Sequence, residues 1–304
     1  MSVTSQDLLE RAEERTGLVR NQLLLMVAKS AAVRHIAQGP YSEHFVLKGG
    51  TLLTHVYSSP RQSIQDADYL HRQAETVSAP ELEQALLGDS QGITFEPAFS
   101  YQAGREQFRG TVEFTFDDIV IRRSRPLKVS VSVRPGEWLD PPRSPLDYHD
   151  PLLAEHNTFK VQGLSLNELA AEKLLGWCSK DLPKHLVDLA YIAREHPAEI
   201  DHELVAGLVA KKFAHEGGRG RYRELGITGV AQLPGHFTDR RRLDEVMHDR
   251  GLGDLFFALA EQQRPEDQTL TSTANIERLA LGFWESTLEL LRRERCGRAR
   301  TNVD

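Results

Sequence analysis

The first residues able to do chemistry are two glycines and two aspartates. Lys48-Gly49-Gly50-Thr51 is followed, after a short amphipathic stretch, by Asp66-Ala67-Asp68. Adjacent glycines let a backbone turn tightly and bring bare N–H groups close to a phosphate. Carboxylates at i and i+2 of a strand point to the same face, where together they can grip one divalent cation. A phosphate cradle followed by a metal-binding pair is what chemistry on a nucleoside triphosphate requires, which points to an enzyme. Each half is common by itself, the first in plain turns and the second in loops. Their order and separation make the combination specific. A P-loop is excluded, because here the lysine precedes the glycines.

A second constellation lies further along. In the helix expected from Ser165, Leu166, Leu169, Ala170 and Trp177 define an apolar face, and Lys173 falls on it, seven residues after Leu166. A lysine on a buried stripe is costly unless it snorkels to water or meets an anion. The anion that would make it functional is a triphosphate, to which an ammonium offers a compact point charge. Beyond it, Lys184 and Asp188 are i,i+4 neighbours. They form either a surface ion pair or a set in which Asp188 faces a cleft, as a base or as an orienter of Lys173.

The elements that must position these groups follow from periodicity. The first 38 residues read as helix, from Leu8, Leu9 and Ala12 through Leu18 and Leu23 to Ala28. Phe45-Val46-Leu47 reads as a strand or the last turn of a helix, and Thr51 as the cap of a helix over Leu52–Tyr57. From residue 66 to about 134 the pattern is β-rich. Asp68-Tyr69-Leu70 reads as a strand edge, Val112–Phe116 and Ile119–Ile121 as a hairpin across Asp117-Asp118, and Ala79–Leu87 as a helix packed on the sheet. Lys128–Arg134 alternates without a break, its valines facing a core and Lys128, Ser130, Ser132 and Arg134 the other side. Pro135 to Pro151, rich in Pro, Gly and Asp, reads as a linker or long loop.

After that loop the chain reads as helical. Ser165-Leu166-Asn167-Glu168 is a capping box opening a helix through Trp177, and Pro183 sits in the first turn of a helix to about His196. Further helices are expected near 201–214, 239–248, 251–262 and 274–296. The division that results is an N-terminal catalytic domain over 1–150 with leading helices and a mostly helical domain over 151–304. Composition fits a soluble globular protein: 40% hydrophobic, 27% charged, with neither a signal-like start nor an 18-residue apolar run, so neither export nor membrane insertion is expected. Cys178 and Cys296 have no metal-type spacing and suggest a reducing cytoplasm. A net charge of −7 argues against indiscriminate nucleic-acid binding while leaving room for a local basic surface.

Four motifs, in order, now carry a resemblance. They are Phe45–Leu53 with Lys48-Gly49-Gly50-Thr51; Arg61 and Ser63 ahead of Asp66-Ala67-Asp68; Ala171-Glu172-Lys173-Leu174; and Lys184–Leu189. Together, across residues 45 to 189, they resemble the AbiEii/AbiGii-type nucleotidyltransferase toxin family, which includes the MenT-like toxins. The resemblance implies an α+β fold: a DNA polymerase β-type nucleotidyltransferase domain with a small mixed sheet, followed by a helical domain. It also implies that Lys48, Gly49, Gly50, Thr51 and Ser63 bind the nucleotide, Asp66 and Asp68 hold Mg²⁺, Lys173 binds phosphate and Asp188 completes the catalytic set. The implied partners are a nucleoside triphosphate such as CTP or UTP, an RNA acceptor such as the tRNA 3′ end, and a cognate antitoxin, all in the cytoplasm.

Three departures stand out. Arg61 lies one residue further from Asp66 than the family pattern has it, the strand expected to bring a third carboxylate reads Lys128-Val129-Ser130-Val131-Ser132, and the Arg-Asp before the last Asp-Leu reads Lys184-His185. The missing acid motivates one rival, a catalytically inactive nucleotide-binding regulatory module; a kinase-like phosphotransferase is the other. An RNA acceptor needs a basic landing surface. The candidates are Lys211-Lys212, Arg219, Arg221 and Arg223 around Tyr222, Arg240-Arg241-Arg242 and the basic tail, each against the plainer alternative of a solvated helix face.

Overall fold

The computed structural model describes residues 9, 10, 13, 20–59, 66–72, 79–89, 93–102, 107–116, 128–136, 144–149, 158–180, 182–216, 221–247 and 273–298. The chain forms two compact units, Met1–Leu164 and Ser165–Asp304.

Among the described residues the first unit contains α1 (Arg20–Gln38), β1 (Phe45–Lys48), α2 (Gly49–His55), β2 (Asp66–His71) and α3 (Ala79–Leu86), with Leu9, Glu10 and Glu13 also helical. Then come β3 (Gly88–Asp89), β4 (Ile93–Gln102), β5 (Gln107–Phe116), β6 (Lys128–Pro135), β7 (Leu146–His149) and β8 (Thr158–Val161). Six strands form one sheet in the order β1-β2-β6-β5-β4-β3, and β7 and β8 form a separate pair. The sheet is mixed: β2 and β6 run parallel, and the other neighbours are antiparallel. Alternation in β6 works as expected, with Val129, Val131 and Val133 fully buried.

Four local expectations are corrected. β2 is no edge; it is hydrogen-bonded on both sides, to β1 and to β6. Thr51 does not cap its helix. The helix begins at Gly49, directly after the extended Lys48, so Thr51 lies inside the first turn and its hydroxyl is used elsewhere. The stretch 135–151 is not merely a loop, because it contains β7, and the chain beyond it is not yet helical, because β8 follows. Tyr148 explains the strand: it is fully buried, stacked on Phe159 and on His55 at 4.6 Å each. The expected hairpin partner Ile119–Ile121 lies outside the described residues; among the described ones β5 pairs with β4 and β6.

Beneath Tyr148 lies a polar connection between helices. The His149 carbonyl can only accept, so His55 Nδ1–H donates to it at 3.1 Å, leaving Nε2 to accept from the fully buried Lys29 at 3.2 Å. Burial, and then the charge of Lys29, push the His55 pKa well below its ordinary value, so this ring stays neutral.

The second unit comprises α4 (Leu166–Lys180), α5 (Pro183–Glu195), α6 (His202–Glu216), α7 (Arg221–Glu224), α8 (Leu233–Phe237), α9 (Arg240–Met247) and α10 (Thr273–Arg298). The capping box is realised: Glu168 Oε2 accepts from the Ser165 amide at 2.8 Å, and Ser165 Oγ accepts from the Glu168 amide at 3.3 Å. Pro183 starts α5 in its first turn. α4 runs one turn past Trp177, to Lys180. Trp177, Trp284 and Phe237 fill the core, and the Trp284 indole N–H donates to the Leu189 carbonyl. The helix expected over 251–262 lies outside the described residues. No helix among the described residues is long and apolar enough to cross a membrane.

Candidate active site

In the first unit the glycine and aspartate motifs are brought together by strand pairing. β1 and β2 run antiparallel with Lys48 level with Asp68. At the β1–α2 junction Gly49 adopts φ +74°, a left-handed conformation that favours glycine. A Cβ at Gly49 would lie 3.1 Å from Asp68 Oδ2, so the missing side chain makes room for that carboxylate. Thr51, buried in the first turn of α2, donates its hydroxyl to the Asp66 carbonyl at 2.5 Å, which ties the helix to the start of β2. The amides of a first helical turn point out along the helix axis, away from its body. Here that turn is Gly49, Gly50 and Thr51.

Asp66 and Asp68 lie on one face of β2, the first exposed and the second half-buried. The parallel neighbour β6 sets Ser130 level with Asp66 and Ser132 level with Asp68. Ser132 Oγ donates to Asp68 Oδ1 at 2.5 Å. The strand that was expected to supply a third acid therefore supplies a hydroxyl to one of the two that exist. A carboxylate offers about four lone-pair sites, so the bond from Ser132 leaves Asp68 able to ligate. Two hard oxygen donors about 7 Å apart at the backbone and on one face suit a magnesium-type cation. The donor set therefore fits a divalent metal.

In the second unit α4 and α5 bring Lys173 and Asp188 together. Their side chains form an ion pair at 2.6 Å, with 6% and 0% exposure. The surface alternative for Asp188 is thereby removed: it is buried against Lys173, while Lys184 is exposed. One neighbour was noticed in the sequence only as a departure from pattern. His185 packs over Gly176, where a Cβ would lie 2.8 Å from its Cε1, and both buried ring nitrogens lack a hydrogen-bond partner. Burial, followed by the charge of Lys173, pushes its pKa well below the ordinary value, against a smaller opposing pull from Asp188. A neutral imidazole thus sits beside the buried pair. Only packing places it there, so sequence spacing carried no signal for it.

The basic candidates fare less well. Lys212 is buried and paired with Glu172, and Tyr222 is buried, its ring 5.2 Å from Phe213 and its hydroxyl donating to the Leu175 carbonyl. Neither is available to an RNA surface. Arg242 lies 4.7 Å over the Trp177 ring and donates to the Trp177 and His236 carbonyls, while Arg240 and Arg241 pair with Glu277 and Glu245. Lys211 and Arg223 remain exposed. Ser63, Arg61 and Gly217–Gly220 lie outside the described residues.

A small mixed sheet with paired aspartates on a central strand, followed by helices, defines an α+β nucleotidyltransferase fold. The whole architecture is similar to that of MenT4, a nucleotidyltransferase toxin from Mycobacterium tuberculosis H37Rv, with a TM-score of 0.55 over 95% of this chain and 99% of that one at 18% identity. No curated protein sequence matches. Residues 31–277 match the family described as nucleotidyl transferase AbiEii toxin, type IV TA system. The chain belongs to that family of nucleotidyltransferase toxins. Membership implies an enzyme acting on a nucleotide and a cognate antitoxin, and nucleotidyltransferases typically use divalent metal ions.

Proposed function

We propose that this protein transfers a nucleoside monophosphate, preferably a pyrimidine nucleotide, from a nucleoside triphosphate to the 3′-hydroxyl of an RNA. The acceptor end is that of tRNA, and capping it blocks translation in the cytoplasm. The observation that carries this reading is the seating of Asp68 between Gly49 and Ser132, level with Lys48. It joins a phosphate-turn motif to a carboxylate pair in one arrangement. Residues 1–150 would form the nucleotidyltransferase domain and 151–304 a mostly helical domain, β8 apart.

In the transfer the 3′-oxygen attacks the α-phosphorus, the bond to the bridging oxygen breaks, and pyrophosphate leaves. Mg²⁺ held by Asp66 and Asp68 would supply charge neutralisation at the phosphates. Lys48 and the Gly49–Thr51 amides, with Ser63, bind phosphate oxygens. Lys173 contributes a cation for the leaving pyrophosphate. Asp188, engaged by Lys173 at 2.6 Å and wholly buried, is a positioning residue and not the base. The hydroxyl proton would pass to a carboxylate of the aspartate pair.

The test is incubation of the full chain with each α-labelled nucleoside triphosphate, Mg²⁺ and total RNA. Label on RNA from one or two of the four supports the proposal. Transfer of γ-label to protein or a small molecule would instead make it a kinase-like phosphotransferase. No transfer at all would favour an inactive nucleotide-binding module, the alternative that Ser132 in place of an acid keeps in view.

A further inference from the structure

A second group of ligand-type side chains lies at the opposite end of the β1–β2 pair. Asp68 pairs with Lys48, whereas His71 pairs with Phe45, three residues further along β2. That is about 10 Å of strand, and the odd offset puts His71 on the other face from Asp66 and Asp68. The site is therefore separate from the aspartate pair.

His44, immediately before β1, His71, ending β2, and Glu81, in α3, converge there. His44 Nδ1 lies 2.7 Å and His71 Nε2 3.3 Å from Glu81 Oε1, and the three atoms all lie within 4.8 Å of one another. Zinc bonds of about 2.0–2.2 Å to nitrogen and oxygen in a tetrahedral shell put neighbouring ligand atoms about 3.3 Å apart. The three edges bracket that separation, so an ion fits after shifts of a fraction of an ångström in side chains.

The frame around the group is built. The His71 carbonyl accepts from the Gly136 amide at 2.9 Å and the His44 carbonyl from the Arg72 amide at 3.0 Å, which fix both backbones to the sheet. Phe45 packs edge-on against the His71 ring at 5.3 Å. Tyr41 donates to Gln84 Oε1 at 2.7 Å and so ties the segment bearing His44 to the helix bearing Glu81. The His71 side chain is fully buried, whereas His44 is 31% and Glu81 16% exposed. The group is partly open to solvent at His44 and Glu81.

We propose that His44, His71 and Glu81 form a binding site for a zinc-type dication, with a fourth position open to solvent. Two imidazole nitrogens and one carboxylate are a borderline donor set suited to zinc and not to magnesium. The ion clamps α3 and the segment before β1 onto β2. Its role is to stabilise the first unit, not to take part in nucleotide transfer. The competing account is a plain hydrogen-bonded cluster in which two imidazoles donate to one carboxylate.

The experiment titrates Zn²⁺ into the metal-free full-length protein, following the histidine imidazole nitrogen resonances, with Co²⁺ as an optical probe. One equivalent should shift two histidines, give a tetrahedral-type Co²⁺ spectrum and raise Tm by a few degrees. His44→Gln and Glu81→Gln, checked for folding by circular dichroism, should each weaken binding at least about tenfold. Asp66→Ala should leave it unchanged. The proposal is overturned if no stoichiometric ion binds, or if the ion binds to either glutamine variant as it does to wild type. It is also overturned if binding is lost with Asp66→Ala. Should both glutamine variants unfold, the wild-type resonances decide: unchanged imidazoles at saturating Zn²⁺ refute it.

Discussion

Ser132 holds Asp68: its hydroxyl donates to Oδ1 at 2.5 Å across the parallel pairing of β6 with β2. The neighbouring strand orients one carboxylate instead of contributing another. A hydrogen bond to a charged group is worth about 1.5–3 kcal/mol. Ser132→Ala should therefore lower nucleotide transfer by roughly 10- to 100-fold and raise the Mg²⁺ concentration needed for half-maximal rate. A Mg²⁺ titration of the variant checks this, and an unchanged profile would remove Ser132 from the site.

Asp66 is exposed, so its replacement should spare the fold. Asp66→Ala is expected to cut transfer by at least about 100-fold, the order seen when a principal charge-stabilising group is removed. It should also abolish growth inhibition while leaving circular dichroism and Tm near wild type. Growth assays on induced cells, with matched expression, read the outcome. Retained toxicity would sink the assignment.

At Gly49 two costs coincide, a left-handed φ and a 3.1 Å approach to Asp68 Oδ2. Gly49→Ala should destabilise the first unit by about 1–2 kcal/mol and depress transfer further by displacing Asp68. A denaturant melt beside kcat separates the two effects. Gly50→Ala, where φ is not positive, should cost less stability.

Lys173 and Asp188 form a buried pair whose halves are not separately tolerable. Lys173→Met or Asp188→Leu alone should destabilise by about 3–5 kcal/mol, because each leaves a buried group uncompensated. The double variant Lys173→Met/Asp188→Leu should regain much of that stability yet stay inactive. A double-mutant cycle read in both stability and transfer tests it, since recovery of both would make the pair purely structural.

The pH dependence of stability should bear the mark of His185. Its folded pKa lies well below 6.5, through burial and then the charge of Lys173. Below pH 6.5 the unfolded chain takes up a proton that the folded ring refuses, so stability is present above that pH and falls as pH drops through it. His55, held neutral by burial and Lys29, acts in the same direction. Melts from pH 8 to pH 5 should show Tm falling, with a shallower fall in His185→Gln.

Much of the architecture was legible because it is local. Alternating valines announced β6, the Ser165–Glu168 box opened α4 and Pro183 opened α5. Each signal rests on a backbone period or a contact within a few residues, and such contacts are written in the sequence directly. β7 and β8 were missed because both are four-residue strands. One lies in a proline-rich stretch and is held by the stacking of Tyr148 on His55, nearly a hundred positions away. Tyr222 and Lys212 read as surface residues for the same reason: a tyrosine or lysine on a helix does not declare which face is covered.

By itself, then, the sequence determined the order of the motifs, the α+β class and the residue types at the candidate site. Only tertiary structure decided their relations: that Asp68 rests between Gly49 and Ser132, that Asp188 is buried against Lys173, and that His44, His71 and Glu81 meet at one point. Chain periodicity fixes which way a side chain points. What it meets depends on strand order and helix packing, which bring together residues whose separation along the chain carries no trace of their contact.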